Sequence, residues 1–463
     1  MTKKMHAWSL AALPLAIGLA SFAGSAQAVS FNIGDVQAQF DSQLSIGASM
    51  STQSADKRFI SVQNGGEAAA RTSDDGRQNY QAGDVFSKIF RGVHDLELNY
   101  GDSGAFLRGK YWYDFETKDG SQRFYDIDDS GRAPLVKGSG TALLDAFVYH
   151  NYSIGNNPGN VRLGRQVVSW GESTFIGNSI NSINPVDVPG AEIKEGLLPV
   201  EMLYFSQGLT DNLSMEAFYQ LKWAPFAIDN CGTFFGSDTL AVGCNDRLVV
   251  AGVDNPQGQQ PSASTIVRAR KDRDASDDGQ FGVAFRYFVP QLNDTELGFF
   301  AMNYHSRSPI YSSIAGVPPG LGTPITGIDG GAGPAGYFFE YPEDIRLYGM
   351  SFQTNLGGTA VSGEVSYRPN MPMQISTGDQ SRTALVNAFL GQDNTHRGLS
   401  VGVGDEIPGY VRKEFYQAQV TAIHFIERVL GASRLSLVGE AGVNYIGGLG
   451  DTTKFGRDSL FGQ

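Results

Sequence analysis

The chain has 463 residues, 58 of them Gly, with aromatics at 11%, a mean hydropathy of −0.20 and a formal net charge of −13. So polar an average in a chain rich in Phe and Tyr fits strands that are half wet and half greasy, as in a β-barrel around an aqueous interior. The acidic balance argues against a nucleic-acid partner.

The first predicted element is a leader. Lys3 and Lys4 precede an apolar run from Ala7 to about Phe22, which leads into the small-residue site Ala26-Gln27-Ala28, the pattern of a secretory signal peptide. The run is too short for a membrane span of about 20 apolar residues, and no later segment reaches that length without a charge or polar cluster. Cleavage after Ala28 leaves residues 29–463 as one domain starting at Val29. Residues 1–28 hold two lysines and no acids, so the net charge becomes −15.

Residues 36–50 fix the secondary structure. Val36, Ala38, Phe40, Leu44, Ile46, Ala48 and Met50 share one parity, and Gln37, Gln39, Asp41, Gln43, Ser45 and Ser49 share the other, with Ser42 alone breaking the apolar row. Period two over this length is a strand with one greasy and one wet face; a helix groups i with i+4 and has no use for it. The same signal returns at 85–100, 105–116, 143–154, 160–170, 199–209, 213–223, 280–289, 296–305, 345–354, 360–368, 414–425 and 435–445, which makes thirteen predicted strands.

The connections alternate in length. Short ones fall at 101–104, 155–159, 210–212, 290–295, 355–359 and 426–434; long ones fall at 51–84, 117–142, 171–198, 224–279, 306–344 and 369–413. Short periplasmic turns and long external loops are the rhythm of an outer-membrane barrel, and closure spares lipid-exposed backbone from going unpaired. The predicted fold is therefore all-β, a transmembrane antiparallel up-and-down barrel with an even strand count of at least 14. An odd reading of thirteen, and a Gly/Asp-rich end without a terminal aromatic, leads to the expectation of a truncated C-terminus. A missed strand is the alternative.

Several side chains stand out for what they could do. Cys231 and Cys244, close together in a long connection of an exported chain, predict a disulfide clamping one external loop; two free thiols are the alternative. The polar parity nominates Glu97, Arg108, Lys110, Asp114, Glu116, Arg165, Glu216, Lys222, Arg286, Glu364 and Arg368 as pore-lining charges, which either set selectivity or simply pair across strands. Connection 171–198, apolar and poor in charge, is a candidate constriction folded into the lumen, with Trp170, Glu172 and Phe175 as its candidate residues. An external loop packed on its neighbours is the other reading. Asp126 to Gly131 imitates the start of a calcium loop, but Lys137 stands where a bidentate Glu is needed, so a solvated acidic turn is expected and no metal. His305-Ser306 invites a lipase reading; adjacent strand residues face opposite ways and no G-x-S-x-G elbow appears, so no enzyme and no cofactor are expected.

The stretches Arg162-Leu163-Gly164-Arg165-Gln166-Val167-Val168-Ser169-Trp170-Gly171-Glu172, Ile183-Asn184-Pro185-Val186-Asp187, Glu195-Gly196-Leu197-Leu198-Pro199 and Leu209-Thr210-Asp211-Asn212-Leu213-Ser214 resemble the proteobacterial family catalogued as domain of unknown function 1302. So do Leu292-Asn293-Asp294-Thr295-Glu296, Asn303-Tyr304-His305-Ser306-Arg307 and Ser362-Gly363-Glu364-Val365-Ser366-Tyr367-Arg368-Pro369-Asn370. The resemblance runs from the leader to the last residues. It implies a porin-like or fatty-acid-transporter-like barrel in the outer membrane of a Gram-negative bacterium, in contact with its lipid and lipopolysaccharide. It also implies passage of a hydrophobic small molecule, and the company of a periplasmic partner and an exporter of the resistance-nodulation-division type. The function expected is passive transport of a hydrophobic or amphipathic compound, with a general porin for small polar solutes or a surface adhesion barrel as alternatives.

Overall fold

The computed structural model describes residues 29–68, 74–177, 179–185, 196–236, 239–240, 244, 246–249, 265–316, 335–387, 401–429 and 431–456. The predicted leader and the cleavage site expected at Ala28 lie outside these residues.

Fourteen strands form one antiparallel sheet. In order across it they are β1 (Val29–Ile33), β2 (Val36–Met50), β3 (Val85–Tyr100), β4 (Ser103–Asp114), β5 (Ser139–Ile154), β6 (Asn157–Gln166), β7 (Val200–Gly208) and β8 (Leu213–Gln220). They continue with β11 (Phe281–Val289), β12 (Thr295–Tyr304), β15 (Ile345–Leu356), β16 (Thr359–Gln374), β18 (Tyr410–Val429) and β19 (Ala432–Ile446). Each pairs with its neighbour in the chain's order, so the topology is up-and-down. The predicted alternation holds: seven turns of two to five residues lie at one end, and six long connections lie at the other. At the turn between β15 and β16, Gly357 and Gly358 both have positive φ, +58° and +83°, which two-residue hairpins of this hand require and side chains resist.

The wall is inverted relative to a soluble protein. Ile46 (64%), Met350 (58%) and Val365 (55%) are exposed on one parity, while Glu364 (4%) and Arg368 (0%) are buried on the other. Register carries this face from strand to strand. Outward Tyr348, Tyr367, Tyr416 and Tyr445 stand in one row across four strands, with Tyr367 stacked on Tyr416 at 4.6 Å. The wall is also wrapped and not flat. β8 and β19 are six spacings apart in the sheet, about 29 Å if laid flat at ~4.8 Å each. Yet Trp170 bonds to the first and Thr174, four residues on, to the second. An apolar outside, a polar inside and curvature about an interior make this an all-β, up-and-down barrel of the transmembrane kind.

The structure differs from the sequence reading in three places along the wall and its connections. β1 is an additional strand, pairing with β2 from Val29↔Phe40 to Ile33↔Val36, so the fourteenth strand lies before the first predicted one. The strand expected over 105–116 stops at Asp114, whose carboxylate accepts from the Glu116 and Thr117 backbone N–H groups and starts helix α2 (Phe115–Asp119). Among the described residues the long connections carry five further strands: β9 (Arg247–Val249), β10 (Thr265–Arg268), β13 (Ile310–Ile314), β14 (Gly336–Glu340) and β17 (Glu406–Ile407). These form a second sheet in the order β17-β13-β14-β10-β9 over a core that includes Ile266, Tyr311, Tyr337, Phe339 and Ile407.

The disulfide between Cys231 and Cys244 is formed within the connection from β8 to β11. Beside it the long connections interlock. Asn79 accepts from the Phe124 and Tyr125 N–H groups and donates to the Gly232 carbonyl, and Arg132 donates to the Asn230 amide oxygen at 2.6 Å.

Candidate functional site

The interior is shaped by the connection between β6 and β7. β6 ends at Gln166, four residues before the predicted strand does, and Val168 to Ile183 turn into the barrel. Asn184 fastens the point of departure: its Oδ1 accepts from the Val168 N–H, and its Nδ2 donates to the carbonyls of Gln166 and Leu198. Val168, Trp170, Ile180 and Ile183 then pack against inward side chains of β7, β8, β12 and β15, namely Met202, Tyr204, Phe218, Phe300, Met302 and Leu347. The Trp170 ring lies 5.1 Å from that of Phe218 and 5.8 Å from that of Phe300, and its Nε1 donates to Glu216 at 2.7 Å. Phe175 stands at the tip of the segment with 72% of its surface exposed.

Backbone without regular structure is tolerated inside a barrel only where its polar groups find partners. The wall supplies them. Arg368, fully buried on β16, donates to the Ser179 carbonyl at 2.7 Å and to the Tyr304 hydroxyl at 2.9 Å. Arg307, just past β12, donates to the Ile183 carbonyl at 2.8 Å and to the Gln220 amide oxygen at 2.6 Å. Glu364 of β16 accepts from the N–H groups of Glu172 at 2.6 Å and Ile180 at 3.0 Å. Glu440 of β19 accepts from those of Thr174, Phe175 and Ile176.

The remaining nominated charges divide. Glu216, Arg286 and Glu296 form an inward ladder over three strands, at 3.1 and 3.0 Å. Arg108 makes a two-pronged pair with Asp95 at 2.7 and 2.6 Å, with Asp145 at 3.8 Å. Glu97 accepts from the Tyr149 hydroxyl at 2.9 Å, and Lys110 lies 5.2 Å from the centre of the Trp112 ring. Asp114 ends β4 on the inward parity, where it accepts from the Ser87 hydroxyl and caps α2. Three others stand elsewhere. Glu116 sits on that helix and pairs with Lys88, because the strand ends early. Lys222 lies past the end of β8 and pairs with Asp277. Arg165 falls by register on the face of exposed Leu163 and Leu203 and donates to the Pro199 carbonyl.

Sequence reasoning missed Glu440, Arg307 and Asn184. Glu440 was legible in part: it sits on the inward parity of a strand whose inward neighbours, Val438 and Gly442, carry no charge. Gly442 also admits the segment, since a Cβ there would lie 2.7 Å from Ile176 Cδ1.

Two further motifs resolve locally. His305 is buried, with Nδ1 against the Asp344 N–H at 3.0 Å and Nε2 against the Asp278 carbonyl at 2.8 Å, while the Ser306 hydroxyl donates to the Ser308 carbonyl, so the two do not meet. In the acidic turn Asp129 pairs with Lys118, and Asp128 accepts from the Ser130 N–H and hydroxyl.

The wall, its inward segment and its paired interior charges define a β-barrel with a partly filled lumen. The chain belongs to the family described as Protein of unknown function (DUF1302), whose model matches residues 9–461. No curated protein matches the sequence. Among solved structures, the chain is similar to Salmonella typhi OmpF in complex with daunomycin at 10% identity, over 88% of this chain and 85% of that one, with a TM-score of 0.33. It is similar to the ferric enterobactin receptor PfeA of Pseudomonas aeruginosa at 11% identity, over 90% of this chain but only 60% of the receptor, with a TM-score of 0.28. Pseudomonas putida OprB is similar at 12% identity, over 77% of this chain and 87% of that one, with a TM-score of 0.22.

Proposed function

We propose that the protein is an outer-membrane channel or transporter that lets a hydrophobic or amphipathic small molecule cross passively, with segment 168–183 as its constriction. The observation that carries this reading is the apolar segment across the interior, seated on a core that runs from Trp170 to Leu347 and ending in Phe175, 72% exposed. A passage serving only small polar solutes has no need of an exposed Phe at its tip, and a greasy cargo gains from one; Trp170, Tyr204, Phe218 and Phe300 are buried and hold the segment in place. Family membership supports the choice through what the resemblance implies, and the same source suggests a periplasmic partner and an inner-membrane exporter.

A second reading, a general porin, is favoured by the paired charges Arg108–Asp95 and Glu216–Arg286–Glu296 facing the interior. Uptake of a radiolabelled fatty acid or sterol against a small sugar, in a deletion strain with and without the gene restored, separates the two. Restored uptake of the lipid alone supports the first reading, and restored uptake of the sugar alone supports the second.

A further inference from the structure

The described residues of segment 171–180 lie in neither helix nor strand, so their N–H groups need acceptors from outside the segment's own backbone. Two carboxylates meet five of them. Glu440 takes three consecutive N–H groups, of Thr174 at 2.8 Å, Phe175 at 3.0 Å and Ile176 at 2.5 Å, and Glu364 takes those of Glu172 and Ile180. Among the described residues neither carboxylate makes an ion pair. The one other donor to them among the described residues is the Thr421 hydroxyl, at 2.7 Å from Glu440. A buried or half-buried carboxylate without a cation is costly unless its oxygens are hydrogen-bonded, and N–H donors to a charged acceptor are among the stronger ones. Segment and carboxylates therefore satisfy each other. The two posts stand on strands separated only by β18, so the tip bearing Phe175 is held against one side of the wall.

We propose that Glu364 and Glu440 are positioning residues that fix the segment's tip and so set the width of the passage. Glu440 governs the tip alone, and Glu364 governs the base from which it projects. This rests on the channel reading for its consequence but not for its geometry. Without Glu440 three adjacent N–H groups lose their acceptor, and the tip exchanges a docked state for an open one.

The test uses the full chain, purified in detergent, with hydrogen exchange read on the peptide covering 172–177 and single-channel conductance read in planar bilayers. In Glu440→Ala, exchange in that peptide is expected to rise about tenfold or more, the scale of losing charge-assisted hydrogen bonds. Peptides from β2 and β3 keep their protection, and conductance rises and becomes noisier. Heat-modifiable gel mobility shows whether the variant has folded. If it has not, Glu440→Gln, which keeps an acceptor oxygen and loses the charge, is read on the same peptide and should show a smaller rise in the same direction. Wild-type protection of 172–177 in a folded Glu440→Ala barrel overturns the proposal. If instead the wild type conducts nothing while the exchange result appears, the channel reading fails and the positioning role stands.

Discussion

The two halves of the wall share the same strand alternation but present different chemistry to the interior. On β2 to β4 the inward side chains include Asp41, Gln43, Asp95, Glu97, Arg108 and Lys110, with Arg108 paired to Asp95 on the neighbouring strand and Glu97 accepting from the Tyr149 hydroxyl. On β7 to β15 the inward positions hold Met202, Phe218, Phe300, Met302 and Leu347, and the answer comes from the segment that covers them. A strand facing water on one side shows clean alternation, and a strand covered on both sides does not. The run Leu297 to Met302, apolar on both parities apart from Gly298, was therefore already reporting a covered interior. The difference is one of cover: the inward face of β2 to β4 is polar and left open, whereas on β7 to β15 the segment seals a hydrophobic core beside the Glu216–Arg286–Glu296 ladder.

The comparison can be broken most forcefully at Trp170. Trp170→Ala removes a fully buried ring and its bond to Glu216, and should cost about 3–5 kcal/mol of stability. It should also raise small-ion conductance, more so with Phe175→Ala added. Thermal melts in detergent give the first number and planar bilayers the second; a barrel with unchanged conductance would show that the covered half does not limit the passage.

Outside both halves, Cys231→Ser should loosen the external connections by about 2–4 kcal/mol, as expected for a bridge closing a short loop. Protease nicking near residues 230–240 should increase while the wall keeps its resistance to cold detergent, and wall unfolding in parallel would mean that the connections and barrel are one cooperative unit.

The second sheet should respond to acid. Burial opposes ionisation of Glu406, but hydrogen bonds from Arg273 and Arg270 outweigh it and hold the carboxyl below its ordinary value of 4.5. A depressed folded value means the stabilisation is complete above the unfolded value and is lost as pH falls through the folded one. Proteolysis of the long connections should therefore accelerate below about pH 4, and Glu406→Gln should show that susceptibility already at neutral pH.

The smallest effect belongs to the open half. Arg108 and Asp95 are each about a quarter exposed, so Arg108→Ala should change stability by under about 1 kcal/mol. Its mark should be on selectivity: with one inward cation gone, reversal potentials should shift toward cations.

Period two is a local property, so the wall, its turns and the outward face were readable from residues in sequence. β1 was hidden by its length of five residues beside the leader, although Val29, Phe31 and Ile33 alternate properly. The short strands of the second sheet pair across connections far apart in the chain, and no local pattern encodes that. The inward segment was nominated by its apolar composition. Of its anchors, Glu364 and Arg368 were nominated only as pore-lining charges and Glu440 and Arg307 not at all, because these contacts act over long sequence separations. Three of the eleven nominated charges, Glu116, Lys222 and Arg165, missed the inner face for one of two reasons, a strand that ended sooner than its alternation or a register that turned the side chain outward.

The same separations order events in time. Neighbouring strands meet through turns of two to five residues, whereas the contact of Thr174 with Glu440 closes a loop of 266 residues. Closing long loops costs entropy that only an assembled target repays. Since Glu440 lies on the last strand of the sheet, the tip at 174–176 can be held by it only where that strand has joined, whereas Trp170, Ile180 and Ile183 already find partners on strands earlier in the chain. The tip of the segment is thus the part whose fixing waits longest on the rest of the wall.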